Sequence, residues 1–88
     1  MKSYIVQLVD SAEDDLARIW LQSPNPALIT REDADIHRLL SVTPFSSGTL
    51  VIEDLYRIVS GSLVAYYSVM KSINTVEICS FALLRTEL

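Results

Sequence analysis

The sequence predicts an α+β fold of order β-α-α-β-β-β, a helical hairpin packed on an antiparallel sheet. Three observations carry that prediction. A β-branched run opens the chain, two segments with apolar residues at helical spacing follow, and three strand-like runs joined by short turns complete it. A length of 88 residues suits one domain over 1–88, and an apolar share of 50% is ample for its core.

Residues 3–9, SYIVQLV, are β-branched and aromatic with near-continuous apolar character, which predicts a strand buried on both faces. Asp10 and Ser11 break it. Ser11 and Asp14 stand at capping-box spacing, and Glu13, Asp14 and Asp15 place negative charge at the positive end of a helix dipole. Ala12, Leu16, Ile19 and Trp20 then recur at helical spacing, so 12–22 reads as an amphipathic helix facing the sheet. In Ser23-Pro24-Asn25-Pro26, Asn25 suits an N-cap and Pro26 the first helical position. Ile29, Ile36, Leu39 and Leu40 form the apolar stripe of a second helix reaching Val42 and stopped by Pro44. Arg31, Glu32, Asp33, Asp35 and Arg38 fall on its wet side. So short a connection makes the helices an antiparallel hairpin.

PFSSGT, residues 44–49, reads as a loop. The runs LVIEDLYRIVS, LVAYYSVM and TVEICSFALL read as three strands, with turns at Ser60-Gly61-Ser62 and Lys71-Ser72-Ile73-Asn74. Turns this tight make successive strands antiparallel neighbours.

Charge narrows the function classes. Seven Lys and Arg against eleven Asp and Glu leave a net −4, with −3 in residues 1–43 and −1 in 44–88, so neither half is a basic nucleic-acid surface. A single cysteine, Cys79, excludes an internal disulfide framework and fits a reducing compartment. The opening MKSYIVQLVD lacks the apolar stretch of a signal peptide, and no run is long enough to span a membrane. These features point to the cytoplasm. His37 is the only histidine, with no second ligand or nucleophile at catalytic or metal spacing, and reads as a surface helix residue. No metal site, cofactor motif or Gly-rich phosphate loop is visible.

The stretch AEDDLARIW resembles an early helix of the bacterial RelE/ParE toxin superfamily, and LYRIVSGSLVAYYSV resembles that family's central hairpin, in which an aromatic-rich strand follows a Gly turn. Length, element order and motif position agree over nearly the whole chain. The resemblance implies the toxin half of a type II toxin–antitoxin pair, of the kind also called plasmid stabilization systems, neutralised by a cognate antitoxin. One branch of the family is an mRNA interferase that cleaves messenger RNA on the ribosome with basic and aromatic side chains of an open sheet face. Another poisons DNA gyrase.

Cleavage of this type uses the 2′-hydroxyl as nucleophile, so it needs a proton acceptor, a proton donor and a cation for the phosphorane charge. The family's strand motif "Y-R-V-x-Y-x-V" aligns with Leu63–Val69, and its catalytic arginine falls on Val64, which cannot supply a cation. The family's terminal basic run is matched only by Arg85. Arg57 lies one residue from another basic position of the family, and reads either as a functional cation or as half of an ion pair with Glu53 or Asp54. Tyr66 shares the expected working face with Val64, Ser68 and Met70. It suits base stacking or simple cross-strand packing, while Tyr67 points into the core. Arg57, Arg85 and Tyr66 are thus the candidate catalytic residues. Val64, Met70, Leu83, Leu84 and Leu88 are candidate apolar anchors for a partner helix or strand. Three readings stay open: an antitoxin-controlled, ribosome-dependent endonuclease; a member acting only by protein binding, on gyrase or another partner; and an unrelated small α+β structural protein. The apolar tail also permits self-association.

Overall fold

Two long helices lie against one face of a mixed five-stranded sheet, and the other face is left open. The computed structural model describes residues 3–84. The elements are β1 (Ile5–Leu8), α1 (Asp10–Gln22), α2 (Pro26–Val42), a single turn α3 (Pro44–Ser47), β2 (Thr49–Ile52), β3 (Leu55–Ser60), β4 (Leu63–Met70) and β5 (Thr75–Leu83). The strand order is β1-β5-β4-β3-β2, antiparallel except for the parallel β1–β5 pair. The helical hairpin on a sheet is as expected, but several elements depart from the reading, among them 44–49, expected as a loop, which forms α3 and the first residue of β2.

The run LVIEDLYRIVS is not one strand. It folds as the hairpin β2–β3 around Glu53 and Asp54, and Ile52 pairs with Leu55. Glu53 takes a left-handed φ of 46°, the backbone a two-residue hairpin turn requires. Two adjacent acids inside an apolar run suit a turn as well as an exposed stretch of one strand.

β1 is an edge strand rather than a doubly buried one. It adds in parallel to the free side of β5, pairing Val6 with Val76 and Leu8 with Ile78, and leaves Ile5 65% exposed. The strand buried on both faces is instead β4, at the centre of the sheet, where Leu63, Val64, Ala65 and Tyr67 are all buried.

Helix α1 starts without the predicted capping box. Val9 is its N-cap, with no side-chain cap, and the amides of Ala12 and Glu13 turn back to Val9 O. Only Val9 separates β1 from α1, so Ser11 already lies inside the helix, and its hydroxyl points across to Cys79 O at 3.5 Å. Asn25 does cap α2, its side chain accepting from the Leu28 amide at 3.3 Å, and Pro26 opens the helix.

The core lies between helices and sheet. Ala12, Ile19, Ile29, Ile36 and Leu40 meet Ile58, Leu63, Ala65, Tyr67, Val76, Ile78 and Phe81, all 8% exposed or less. Burial of this apolar area, at roughly 25 cal/mol per Å², is the main stabilising term. The Tyr67 hydroxyl, buried with its ring, donates to Pro44 O at 2.6 Å and so ties β4 to α3.

Carboxylates of the helices act as tertiary clamps. Glu32, expected on the wet side of α2, is 7% exposed and accepts from the Ser62 amide (3.2 Å) and hydroxyl (3.0 Å). Asp35 accepts from Ser60 at 3.0 Å and from Arg38, whose hydrogen bond, more than that of Ser60, holds its carboxyl below the usual carboxylate range. Gly61, at φ +59°, packs against Glu32 with no room for a Cβ. Asp15 accepts from the Phe81 amide at 3.2 Å, capping the stretch of β5 that β1 does not reach. Among the described residues no helix is long and apolar enough to cross a membrane.

Candidate functional site

Two surfaces stand apart from this core: the open face of the sheet and a groove on the helical side.

On the open face Arg57 and Tyr66 are direct partners across β3 and β4, and each has one further neighbour in the same row, Thr49 and Ser80. The next row along β4 pairs Ser68 with Glu77. A guanidinium, a phenol, a hydroxyl and a carboxylate thus share one surface, all four partly exposed. Among the described residues Arg57 makes no ion pair; Glu53 and Asp54, its expected partners, sit in the β2–β3 turn. β5 bulges at Cys79, which has no partner on β4 because Tyr66 pairs with Ser80 and Tyr67 with Ile78. Burial, with the Glu77 charge next, pushes the Cys79 thiol up, so it is a poor nucleophile near neutrality. No three His, Cys, Asp or Glu side chains come together among the described residues.

Not every predicted anchor sits where the sequence suggested. Val64 lies on the open face as expected, opposite Val59 and Ala82, but is only 3% exposed. The centre of a five-stranded sheet is crowded on both sides by neighbouring strands, so Val64 is packing rather than an accessible anchor. Met70 is half-buried at the end of β4. Leu83 and Leu84 are exposed by 48% and 43%, and line a hollow with Leu28 and the α1–α2 connection, on the helical side. Arg85 and Leu88 lie outside the described residues.

The groove between α1 and α2 was not anticipated. It encloses about 520 Å³ and is walled by Leu8, Leu16, Ala17, Trp20, Leu21 and Ile29, with Glu13, Thr30 and Asp33 among the apolar groups. Helix α1 carries two apolar stripes rather than one. Ala12 and Ile19 are buried against the sheet, whereas Leu16, Ala17, Trp20 and Leu21 line the groove, with Leu21 74% exposed. Positions 13, 16, 17, 20 and 21 follow the i, i+3, i+4, i+7, i+8 spacing, a legible signal once the second stripe is sought. The Trp20 indole N–H donates to Thr30 Oγ1 at 3.0 Å, fixing the ring across the groove.

Neither a family model nor a curated protein matches the chain. Solved structures do. A chain of the RelBE2 toxin–antitoxin complex from Mycobacterium tuberculosis superposes with TM-score 0.81 at 20% identity, over 99% of this chain and 97% of the other. The fold is that of the RelE and ParE toxins. The isolated E. coli RelE toxin matches with TM-score 0.67 at 15% identity, over 97% of this chain and 88% of its own. The ParDE toxin–antitoxin system from P. aeruginosa matches with TM-score 0.71 at 12% identity, over 94% and 98%. Within the RelE/ParE fold, this chain keeps the sheet and helical hairpin nearly end to end while four-fifths or more of its residues differ.

Proposed function

We propose that this chain is the toxin component of a toxin–antitoxin pair, acting in the cytoplasm and held by a partner protein that occupies the α1–α2 groove. The match along almost the whole length of both chains to a member of a toxin–antitoxin complex carries this reading. The groove supports it independently, because an apolar cleft lined by an exposed Trp and Leu on a small protein is a protein-docking feature.

The working surface is the open sheet face. Arg57 opposite Tyr66 supplies a cation for a phosphate and a phenol able to stack on a base or donate a proton, the elements of metal-free RNA cleavage. Protein binding without chemistry is the second reading. It is favoured by Val64, packed where the resemblance places a catalytic arginine, and by the net charge of −4.

Induced expression of the chain in a bacterium, with and without the protein encoded beside it, separates these readings. Growth arrest with cleaved transcripts, relieved by the neighbour and abolished by R57Q, supports the nuclease. Arrest with intact transcripts leaves the binding reading. Folded protein that causes no arrest and captures no neighbour-encoded partner refutes the toxin assignment.

A further inference from the structure

The net charge of this protein is carried entirely by its helices. Residues 10–42 hold seven acids and three arginines, whereas the rest of the chain holds four acids and four bases. Three of the seven acids have work inside the fold: Asp15 with Phe81, Glu32 with Ser62, and Asp35 with Ser60. Among the described residues Asp10, Glu13, Asp14 and Asp33 hold no other element of the fold in place, and two of them, Glu13 and Asp33, line the groove. Among the described residues no Lys or Arg lines it with them.

Asp33 is the telling residue. Its Oδ1 is buried and accepts no hydrogen bond among the described residues. His37 Nε2, one helical turn on, lies 3.2 Å away but makes no hydrogen bond to it. A carboxylate oxygen taken from water without a donor is destabilising, and an incoming cationic donor recovers that loss.

We infer that the groove is built for a cationic occupant: an amphipathic helix of a partner protein whose apolar side chains fill the Leu16–Trp20–Leu21 wall and whose Lys or Arg reaches Asp33 and Glu13. This rests on the groove being the partner site, and adds the partner's charge and the two residues that read it. The stripe from Glu13 to Leu21 is about 12 Å long at 1.5 Å per residue, the reach of two helical turns. A second copy of this chain is a poor occupant, since its own helical layer carries four net negative charges.

The test uses Trp20, the chain's only tryptophan, as a reporter inside the groove. Three amphipathic peptides of about 15 residues share one leucine face and carry Lys, Gln or Glu beside it. They are titrated against the full chain at low salt, with Trp20 emission recorded. The Lys peptide should bind tightest and the Glu peptide weakest, and D33N should weaken the Lys peptide roughly tenfold while leaving the Gln peptide unchanged. E13Q should act in the same direction. D14N, which removes the same charge from an exposed position outside the groove lining, should cost less than twofold. Thermal melts of each variant establish that it is folded.

If the Glu or Gln peptide binds as tightly as the Lys peptide, or D14N equals D33N, the cationic inference is overturned while the groove stands as a docking site. Trp20 emission that no peptide moves overturns both. Concentration-dependent dimers that bury Trp20 would assign the groove to a second copy and overturn the inference as well.

Discussion

Replacing Tyr67 with phenylalanine deletes one oxygen from a side chain with no exposed surface. That oxygen donates to Pro44 O at 2.6 Å, the single bond tying the centre of β4 to α3. The ring itself stays packed, stacked on Tyr56 with centroids 5.5 Å apart, so little apolar contact is lost. The cost lies in the stranded Pro44 carbonyl: a buried acceptor without its donor is destabilising by about 1–3 kcal/mol. An unfolding entropy of about 2.1 cal/mol/K per residue converts each kcal/mol into about 5 °C for a chain of this length, so Y67F should melt about 5–15 °C lower. Alkali gives a second arm. Burial, then the neighbouring Tyr56 phenol, pushes Tyr67 up to about 12 from a tyrosine's ordinary 10.0. A raised folded pKa means the stabilisation is complete below pH 10 and is lost as pH rises from about 10 toward 12. At about 1.4 kcal/mol per unit, the loss approaches 3 kcal/mol. Urea unfolding of both proteins at pH 8, 10 and 11.5 should therefore show the wild-type advantage shrinking with pH. A Y67F variant within 2 °C of wild type at pH 8, or a gap constant across that range, would refute the reasoning.

Three further outcomes follow from the same geometry. Gly61→Ala places a Cβ at φ +59° directly against the Glu32 carboxylate, and should cost at least about 2 kcal/mol in urea unfolding from backbone strain and the displaced Ser62 bonds. Asp35 has a folded pKa below its ordinary 3.8, so its contribution is present above that value and lost as pH falls through the folded one; D35N should unfold with less acid dependence between pH 5 and 2.5. The two stripes of α1 separate in a thermal melt: Ile19→Ala should cost about 2–4 kcal/mol and Leu21→Ala less than about 0.5, one being 8% and the other 74% exposed.

Much of the architecture was legible because it rests on local chemistry. Helical spacing placed both helices, Asn25-Pro26 marked the start of α2, Pro44 followed its end, and Gly61 and Asn74 occupy the left-handed turn positions that join β3, β4 and β5. The face of Tyr67 followed from alternation alone. What went astray depended on neighbours. Two acids inside an apolar run can be an exposed stretch of one strand or a turn between two, and only pairing Ile52 with Leu55 decides. SYIVQLV reads as doubly buried, but its place at the sheet edge comes from where the α1–α2 hairpin returns the chain.

The candidate site divides along the same line. The residue types were present in the sequence, so Arg57, Tyr66 and the misfit at Val64 could be named from spacing. That Arg57 stands directly opposite Tyr66, free of Glu53 and Asp54 among the described residues, required the register of β3 on β4. Acids on one helix look alike in one dimension, because solvent is the default partner of any charge. The packed structure alone shows Glu32 and Asp35 holding the β3–β4 turn and Asp15 an edge of β5, while a buried Asp33 oxygen accepts no hydrogen bond among the described residues. The sequence by itself thus determined the elements and the charge of the helical layer. The tertiary structure decided which of those charges are spent inside the fold and which face a groove, since that depends on contacts between residues distant in the chain.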